Sequence, residues 1–292
     1  MNWMSRPAKS RAARRAPAAE RSVSPALAGR EMPAQHNPLF NDSAQKALAV
    51  LEAFGKGRRV LKLAEAADAA GITKASAQRC IHTLQVLGYL RRDWRSTGWM
   101  LTPRALGIAH AYLAGYRLIE QAQQHLVDLN RATGESVSLS EPDGTDMVFV
   151  ARFPSHKRFL IHMPIGTRLP MYCTASGRAY LSALPAAEAQ QLLRLSSLRP
   201  LTPMTITDMR RIQELVAAAH VDGYACSDQE CYRGDVTVAA PVIGEGGRPV
   251  GAINISAPTS RWTLEEMRAK LAVLVMETAR AISSGAVPQA QG

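Results

Sequence analysis

The stretch AEAADAAGITKASAQRCIHTL, Ala64 to Leu84, sets a glycine between two helical patterns and gives the second of them two unlike faces. At about 100° per residue, Ala77, Cys80, Ile81, Leu84 and Leu87 fall on one stripe, while Ala75, Gln78, Arg79 and His82 fall on the opposite one. The preceding run, Leu63 to Ala70, is alanine-rich and closes at Gly71, where a residue free to take positive φ is expected; Thr73 can cap the second helix. Two short helices around a tight turn outline a helix-turn-helix, a motif whose second helix lies in the DNA major groove. There Gln78 and Arg79 can pair bidentately with adenine and guanine edges and Lys74 can meet phosphate, with Ala75, Ser76 and His82 on the same contact surface. A surface hairpin with a merely solvated polar side fits the same spacing, and the choice between the two falls to charge.

Residues 1–40 hold seven Lys/Arg against two Asp/Glu, and residues 41–107 hold eleven against five. Residues 108–292 hold seventeen of each, so the whole excess of +11 sits around the candidate helix. A basic segment joined to a neutral one implies a nucleic-acid module attached to a part with another task.

Downstream, Leu90 to Arg92 and Gly98 to Leu101 can form two short strands with Asp93 to Thr97 as their turn, which makes the motif winged. Arg91, Arg92 and Arg95 place three cations on or beside that wing, suited to contacts that position the protein on the DNA backbone. Upstream, Ser43 to Phe54 reads as an amphipathic first helix with Ser43 as cap and Ala47, Leu48, Leu51 and Phe54 toward the core. Its SAQK tetrapeptide matches the Ser-x-x-Lys of some acylating enzymes, but no other motif of theirs is present.

A length of 292 residues suggests about two domains, and 47% hydrophobic content supports sizeable cores. No apolar run reaches the roughly 18 residues of a membrane span. The first 40 residues are rich in Arg, Ala and Pro and lack the apolar core of a signal peptide, so a disordered basic tail is expected, with Met32 as an alternative start. Cys80, Cys173, Cys226 and Cys231 lack metal-ligand spacing and fit reduced thiols in a cytoplasm; no metal or cofactor is expected.

Pro103 to Tyr116 reads as a linking helix whose Leu106, Ala109, His110 and Leu113 can pack against a partner. A helix from Ile119 to Thr133 stops at Gly134. Strands are expected at Ser136 to Ser140 and Met147 to Arg152, joined by the turn Glu141 to Gly144, and at Phe159 to Met163. Gly177 to Ala183, Ala186 to Leu195 and Thr207 to His220 read as helices, and Val236 to Ile243 and Val250 to Ala257 as a hairpin around Gly244 to Gly247. Strands, helices and strands again describe an α+β domain on a mainly antiparallel sheet.

Four segments, GITKASAQRCIHTLQVLGYL (71–90), RLPMYCTASGRAYLSALP (168–185), DGYACSDQECYRGDVTVAAPV (222–242) and GRPVGAINISAP (247–258), together resemble the IclR family of bacterial transcriptional regulators. The resemblance runs from about Ser43 to Ser283. It implies an N-terminal winged helix-turn-helix (41–102), a linking helix (103–118) and a C-terminal GAF-like effector-binding domain (119–284) before a short tail (285–292). It further implies a homodimer or dimer of dimers on double-stranded operator DNA, modulated by a small organic acid, aromatic acids included. Thr73, Ala75 and Gln78 depart from the family's frequent Pro, Ser and His or Tyr, so the operator sequence does not carry over.

Chemistry in the second half can be read beside that resemblance. Small residues in Tyr172 to Gly177 precede a helix, so amides near Ala175 and Ser176 would face the positive end of its dipole, with Tyr172 and Thr174 adjoining; an ordinary helix cap is the alternative. Asn254 and Ser256 share one side of their strand, as do Asp235 and Thr237, either as a pocket floor or as a solvent-facing side. By motif alignment, the resemblance assigns effector contact to Ala175, Ser176, Ser227, Thr237, Asn254 and Ser256, with Ser227 where some relatives have Asp. A catalytic pocket finds Ser and Thr but no adjacent base unless His162 approaches, and an effector-free DNA-binding protein leaves some 180 neutral residues unexplained. Arg233-Gly-Asp235, the glycines at 244, 246 and 247, and a metal at Cys226 and Cys231 are weak patterns.

Overall fold

The computed structural model describes residues 39–55, 58–156 and 163–285. Most of the two expected tails, Met32, His162 and most of the Phe159 to Met163 strand lie outside these residues.

Helix α1 (Asp42–Glu52) is capped by Asn41, whose side-chain oxygen accepts from the amides of Ser43 and Ala44 at 3.0 Å, so the expected Ser43 cap is corrected by two positions. Its buried residue is Val50, while Leu48 is 57% exposed. The run Ala47 to Leu51 is apolar all round, and the stripe is chosen by the packing of α2 (Leu63–Ala69) and α3 (Lys74–Val86) rather than by the sequence pattern. On α3 the core residues are Ala77, Ile81 and Leu84. Cys80 is only half-buried, and Leu87 is 50% exposed because it lies past the last helical residue, where the chain turns at Gly88. Thr73 caps α3, its hydroxyl accepting from the Ser76 amide at 3.2 Å, and Gly71 has φ +66°.

Strands β1 (Leu90–Arg92) and β2 (Trp99–Leu101) pair antiparallel, and Leu61 exchanges two backbone hydrogen bonds with Trp99 beside them. Helix α4 (Ala105–Ala114) follows, apolar in sequence yet without a buried residue, and then α5 (Arg117–Thr133), closed by Gly134 at φ +68°.

The remaining strands form one antiparallel sheet in the order β5-β4-β3-β8-β7-β6. They are β3 (Ser136–Asp143), β4 (Asp146–Phe153), β5 (Arg168–Pro170), β6 (Ala225–Asp228), β7 (Asp235–Ile243) and β8 (Pro249–Pro258). The β3–β4 turn is shorter than the expected Glu141 to Gly144, because pairing continues to Asp143 and Asp146 around Gly144 at φ +64°. Pro142 is tolerated there because β8 pairs only with Ser136 to Ser140, so the missing amide faces no strand. Ser227, between Cys226 and Asp228, belongs to strand β6.

One face of the sheet, including Val137, Leu139, Val236, Val238, Ile253 and Ile255, packs on α5 and α9 (Leu264–Gly285). The other face covers α6 (Ala175–Ser182), α7 (Ala186–Leu195) and α8 (Met209–Asp222) through the smaller residues Ala225, Ala239 and Ala252. Small side chains let α6 approach the sheet, and Gly177 lets it approach its own preceding turn. A Cβ at Gly177 would lie 2.2 Å from the Met171 Cα, a distance no side chain tolerates.

Candidate DNA-reading surface and ligand pocket

On α3, Lys74, Ala75, Gln78, Arg79 and His82 are exposed on the side away from the core. Ser76 is half-buried and takes part in the cap, accepting from the Thr73 hydroxyl at 3.0 Å. Lys46 and Ser43 on α1 border the same groove as Ser76, Arg79 and Thr83, which adds a cation that helix-by-helix reading had missed. On the wing, Arg91 and Arg95 are exposed. Arg92 differs: it donates to the Thr97 carbonyl at 2.7 Å and lies 3.9 Å from the Trp99 ring centre, so it holds the wing together. Arg95 stacks at 4.2 Å on Trp94, an exposed aromatic at the wing tip.

In the second half, four elements converge on one cavity. The start of α6 supplies Thr174, Ala175 and Ser176; β6 supplies Ser227; β7 and β8 supply Thr237, Asn254 and Ser256. Seven of the eight sequence-designated positions therefore line it. The eighth, Tyr172, is corrected: its ring is buried and its hydroxyl is engaged by the Arg199 backbone, donating to the carbonyl and accepting from the amide. The Thr174 hydroxyl accepts from the Gly177 amide at 3.1 Å, so the helix has a side-chain cap that does not use the amides of Ala175 and Ser176. Ser176 donates to the Asn254 side-chain oxygen at 3.3 Å, and Ser227 to the Cys173 carbonyl at 3.1 Å. Asn254, Ser256 and Thr237 are all buried, so this end of the sheet is a floor and not a solvent face.

Sequence reasoning set Asp235 beside Thr237 without giving the acid a role of its own, and it missed an apolar wall. Asp235 accepts from Ser256 at 2.5 Å and Thr237 at 3.0 Å. Burial pushes its carboxyl pKa up, while these hydrogen bonds and Arg152 pull it back. Phe149, Met163 and Leu169 form the wall. Phe149 reaches this side because the β3–β4 register shifts between Leu139 and Ser140, setting it opposite Ser140. The free cavity measures about 30 Å³, the room of a single water molecule.

Behind the cavity, Arg178 of α6 is 1% exposed and meets both Glu230 oxygens, at 2.5 and 2.6 Å, while its Nε donates to the Tyr172 carbonyl at 3.0 Å. This fork ties α6 to the segment after β6 and so fixes two sides of the cavity. Among the described residues there is no cluster of metal-ligating side chains, and no helix is long and apolar enough to cross a membrane.

Residues 43–93 match the IclR helix-turn-helix domain, and residues 110–284 match the C-terminal domain of bacterial IclR transcriptional regulators. The p-hydroxybenzoate hydroxylase transcriptional activator of Acinetobacter baylyi is 33% identical over 221 residues, covering 74% of this chain and 81% of that protein. The crystal structure of a transcriptional regulator from Rhodococcus sp. RHA1 superposes with a TM-score of 0.71 at 36% identity, covering 85% of this chain and 98% of that one. An IclR homologue from Microbacterium hydrocarbonoxydans, crystallised with 4-hydroxybenzoate, shares the fold with a TM-score of 0.67 at 21% identity, covering 83% and 98%.

Proposed function

Because the chain belongs to the IclR family of bacterial transcriptional regulators, we propose that its grip on DNA is set by a small organic acid held in the C-terminal cavity, with aromatic acids such as 4-hydroxybenzoate as the first candidates. The chain is a DNA-binding transcriptional regulator and not an enzyme.

The convergence of the α6 start with three polar strands carries the ligand reading. A carboxylate at the α6 start would meet the Ala175 and Ser176 amides and the positive end of the helix dipole. A ring would lie against Phe149, Met163 and Leu169, and a hydroxyl at its far end would find Asp235, Thr237 or Ser256. The names of the Acinetobacter activator and the Microbacterium complex describe those proteins, and they supply the choice of first ligand here.

On the DNA side, Lys74, Ala75, Ser76, Gln78, Arg79 and His82 form the reading surface, and Arg91 and Arg95 grip the backbone beside it. We assign these roles to residues 41–102, the link to 103–118 and ligand binding to 119–284. The exposed apolar residues of α4, Leu106, Ile108 and Tyr112, suit a second copy of the chain, giving a homodimer or dimer of dimers on a roughly palindromic operator in the cytoplasm. Ligand control then requires different ligand affinities in two arrangements of that assembly.

The test is calorimetry with 4-hydroxybenzoate together with binding to operator DNA selected from a random library. Saturable binding and a ligand-dependent change of about tenfold in operator affinity are expected. No heat of binding, and operator affinity unchanged by 4-hydroxybenzoate, would remove this ligand class.

A further inference from the structure

Two thiols meet at the edge of the cavity. The sulfur of Cys173, in the turn just before α6, lies 3.4 Å from that of Cys231, in the segment between β6 and β7. Both sulfurs are free, Cys173 is fully buried and Cys231 is half-buried and lines the cavity. Cys231 also donates to the Cys173 carbonyl at 3.3 Å, so the two backbones are already held together around the pair.

We infer that Cys173 and Cys231 are a site of reversible oxidation, forming an intramolecular disulfide that ties the turn before α6 to the segment after β6 at the edge of the cavity. The cavity has room for a molecule the size of water, and hydrogen peroxide is only slightly larger. Peroxide oxidises the Cys231 thiol to a sulfenic acid, releasing one water. The Cys173 sulfur then attacks the Cys231 sulfur; the S–S bond forms, the S–O bond breaks, and a second water leaves with the proton of Cys173. Two electrons pass from the thiol pair to the peroxide. Proximity drives the second step, because the resolving sulfur sits at contact distance and condensation outruns further oxidation. The neighbouring thiol and burial hold the Cys231 thiol pKa above its ordinary range, so the first step is slow and the pair resists casual alkylation. The other two cysteines have no sulfur at such a distance among the described residues: Cys80 belongs to α3, and Cys226 lies on β6.

The bond would run beside the Ser227 contact with the Cys173 carbonyl, and both bonded segments carry lining residues, Thr174 to Ser176 on one side and Tyr232 and Asp235 on the other. Disulfide formation does not depend on the effector reading, whereas a consequence for ligand entry rests on it.

The full chain is reduced, treated with hydrogen peroxide, and mapped by peptide mass spectrometry after alkylation of the remaining thiols in denaturant. The expected product has Cys173 joined to Cys231, with Cys80 and Cys226 still alkylated, and dithiothreitol reverses it. Cys231→Ser should leave Cys173 alkylatable under the same treatment, and Cys173→Ala provides a second variant should that one fold poorly. Amide exchange at residues 174–177 and 228–232 should slow by about tenfold on oxidation of the natural chain and not of the variants. Cys231 carried to a sulfinic acid while Cys173 stays free would overturn the site. A disulfide that forms without slowing exchange would overturn the tying of these two segments. Binding of 4-hydroxybenzoate to the reduced chain, measured in parallel, reports separately on the effector reading.

Discussion

Tyr112, on the helix that leads out of the winged domain, donates its hydroxyl to the carboxylate of Glu141 on β3, and its ring stacks on Tyr116 at 5.7 Å between ring centres. Glu141 lies next to Ser140, opposite which the shifted register sets the cavity residue Phe149. A displacement of the cavity wall therefore has a short route to α4. Tyr112→Phe should leave ligand-free operator affinity near its original value and blunt the response to 4-hydroxybenzoate, as read by operator titration with and without the acid. An undiminished response would show that the route runs elsewhere.

The same glutamate makes stability depend on pH. Burial lifts the Glu141 carboxyl above its ordinary range, the Tyr112 hydrogen bond opposes this, and its second oxygen has no partner among the described residues. The folded state thus holds this proton more tightly than the unfolded chain does. Its contribution falls as pH rises from the unfolded pKa through the folded one, and no penalty remains once both states are protonated. Glu141→Gln should gain on the natural chain as pH rises from about 4 to about 8, judged by thermal midpoints. A constant difference across that range would remove the assignment.

Reading of bases and gripping of backbone should separate on mutation. Arg79→Ala should cost about 1–3 kcal/mol on the operator and relax preference at particular base pairs, whereas Arg95→Ala should weaken operator and random DNA alike and lower the salt dependence. Competition titrations at two salt concentrations distinguish these outcomes. Equal losses on both DNAs for Arg79→Ala would make it a phosphate contact.

At the cavity, Ser176→Val puts a branched apolar group where a carboxylate would approach the α6 amides, and it should abolish 4-hydroxybenzoate binding while sparing DNA affinity. Asn254→Ala removes a neutral hydrogen-bonding group and should weaken the ligand by about 1 kcal/mol, roughly fivefold. Calorimetry on folded variants reads both. Normal ligand affinity in Ser176→Val would move the anion site off α6.

The Arg178–Glu230 pair predicts a structural phenotype. Arg178→Met leaves a carboxylate buried without its main partner and should destabilise the fold by about 3–5 kcal/mol in denaturant titration. Adding Glu230→Gln should recover part of that loss, since the Ile206 amide that Glu230 also receives at 3.1 Å keeps an acceptor. A double variant no more stable than the single one would show that the charge itself is not the cost.

What the sequence made legible follows the reach of its signals. The reading helix was plain because Gly71, Thr73 and the Ala77, Ile81, Leu84 stripe all act within a few residues. The cavity positions followed from motif matches, and alternation put Asn254 and Ser256 on one side. Tyr172 failed because its partner, Arg199, lies 27 residues away and leaves no local trace. Phe149 was unreadable because a register shift changes which side it faces, and nothing local marks Arg178 as buried, since its partner lies 52 residues on. Helix α9 was the avoidable omission. Thr263 and Glu266 form reciprocal cap hydrogen bonds at 3.0 and 3.2 Å, and Met267, Leu271 and Val275 follow at helical spacing.

A cavity of about 30 Å³ also has a kinetic meaning. An aromatic acid is several times larger, so in the proposed complex the wall of Phe149, Met163 and Leu169 would have to move to admit the ring. Association would then be gated by the rate of that opening rather than by diffusion, and the observed rate constant should level off as ligand concentration rises. The regulator would respond on the timescale of its own wall, and a brief pulse of acid shorter than one opening would pass unrecorded at the promoter.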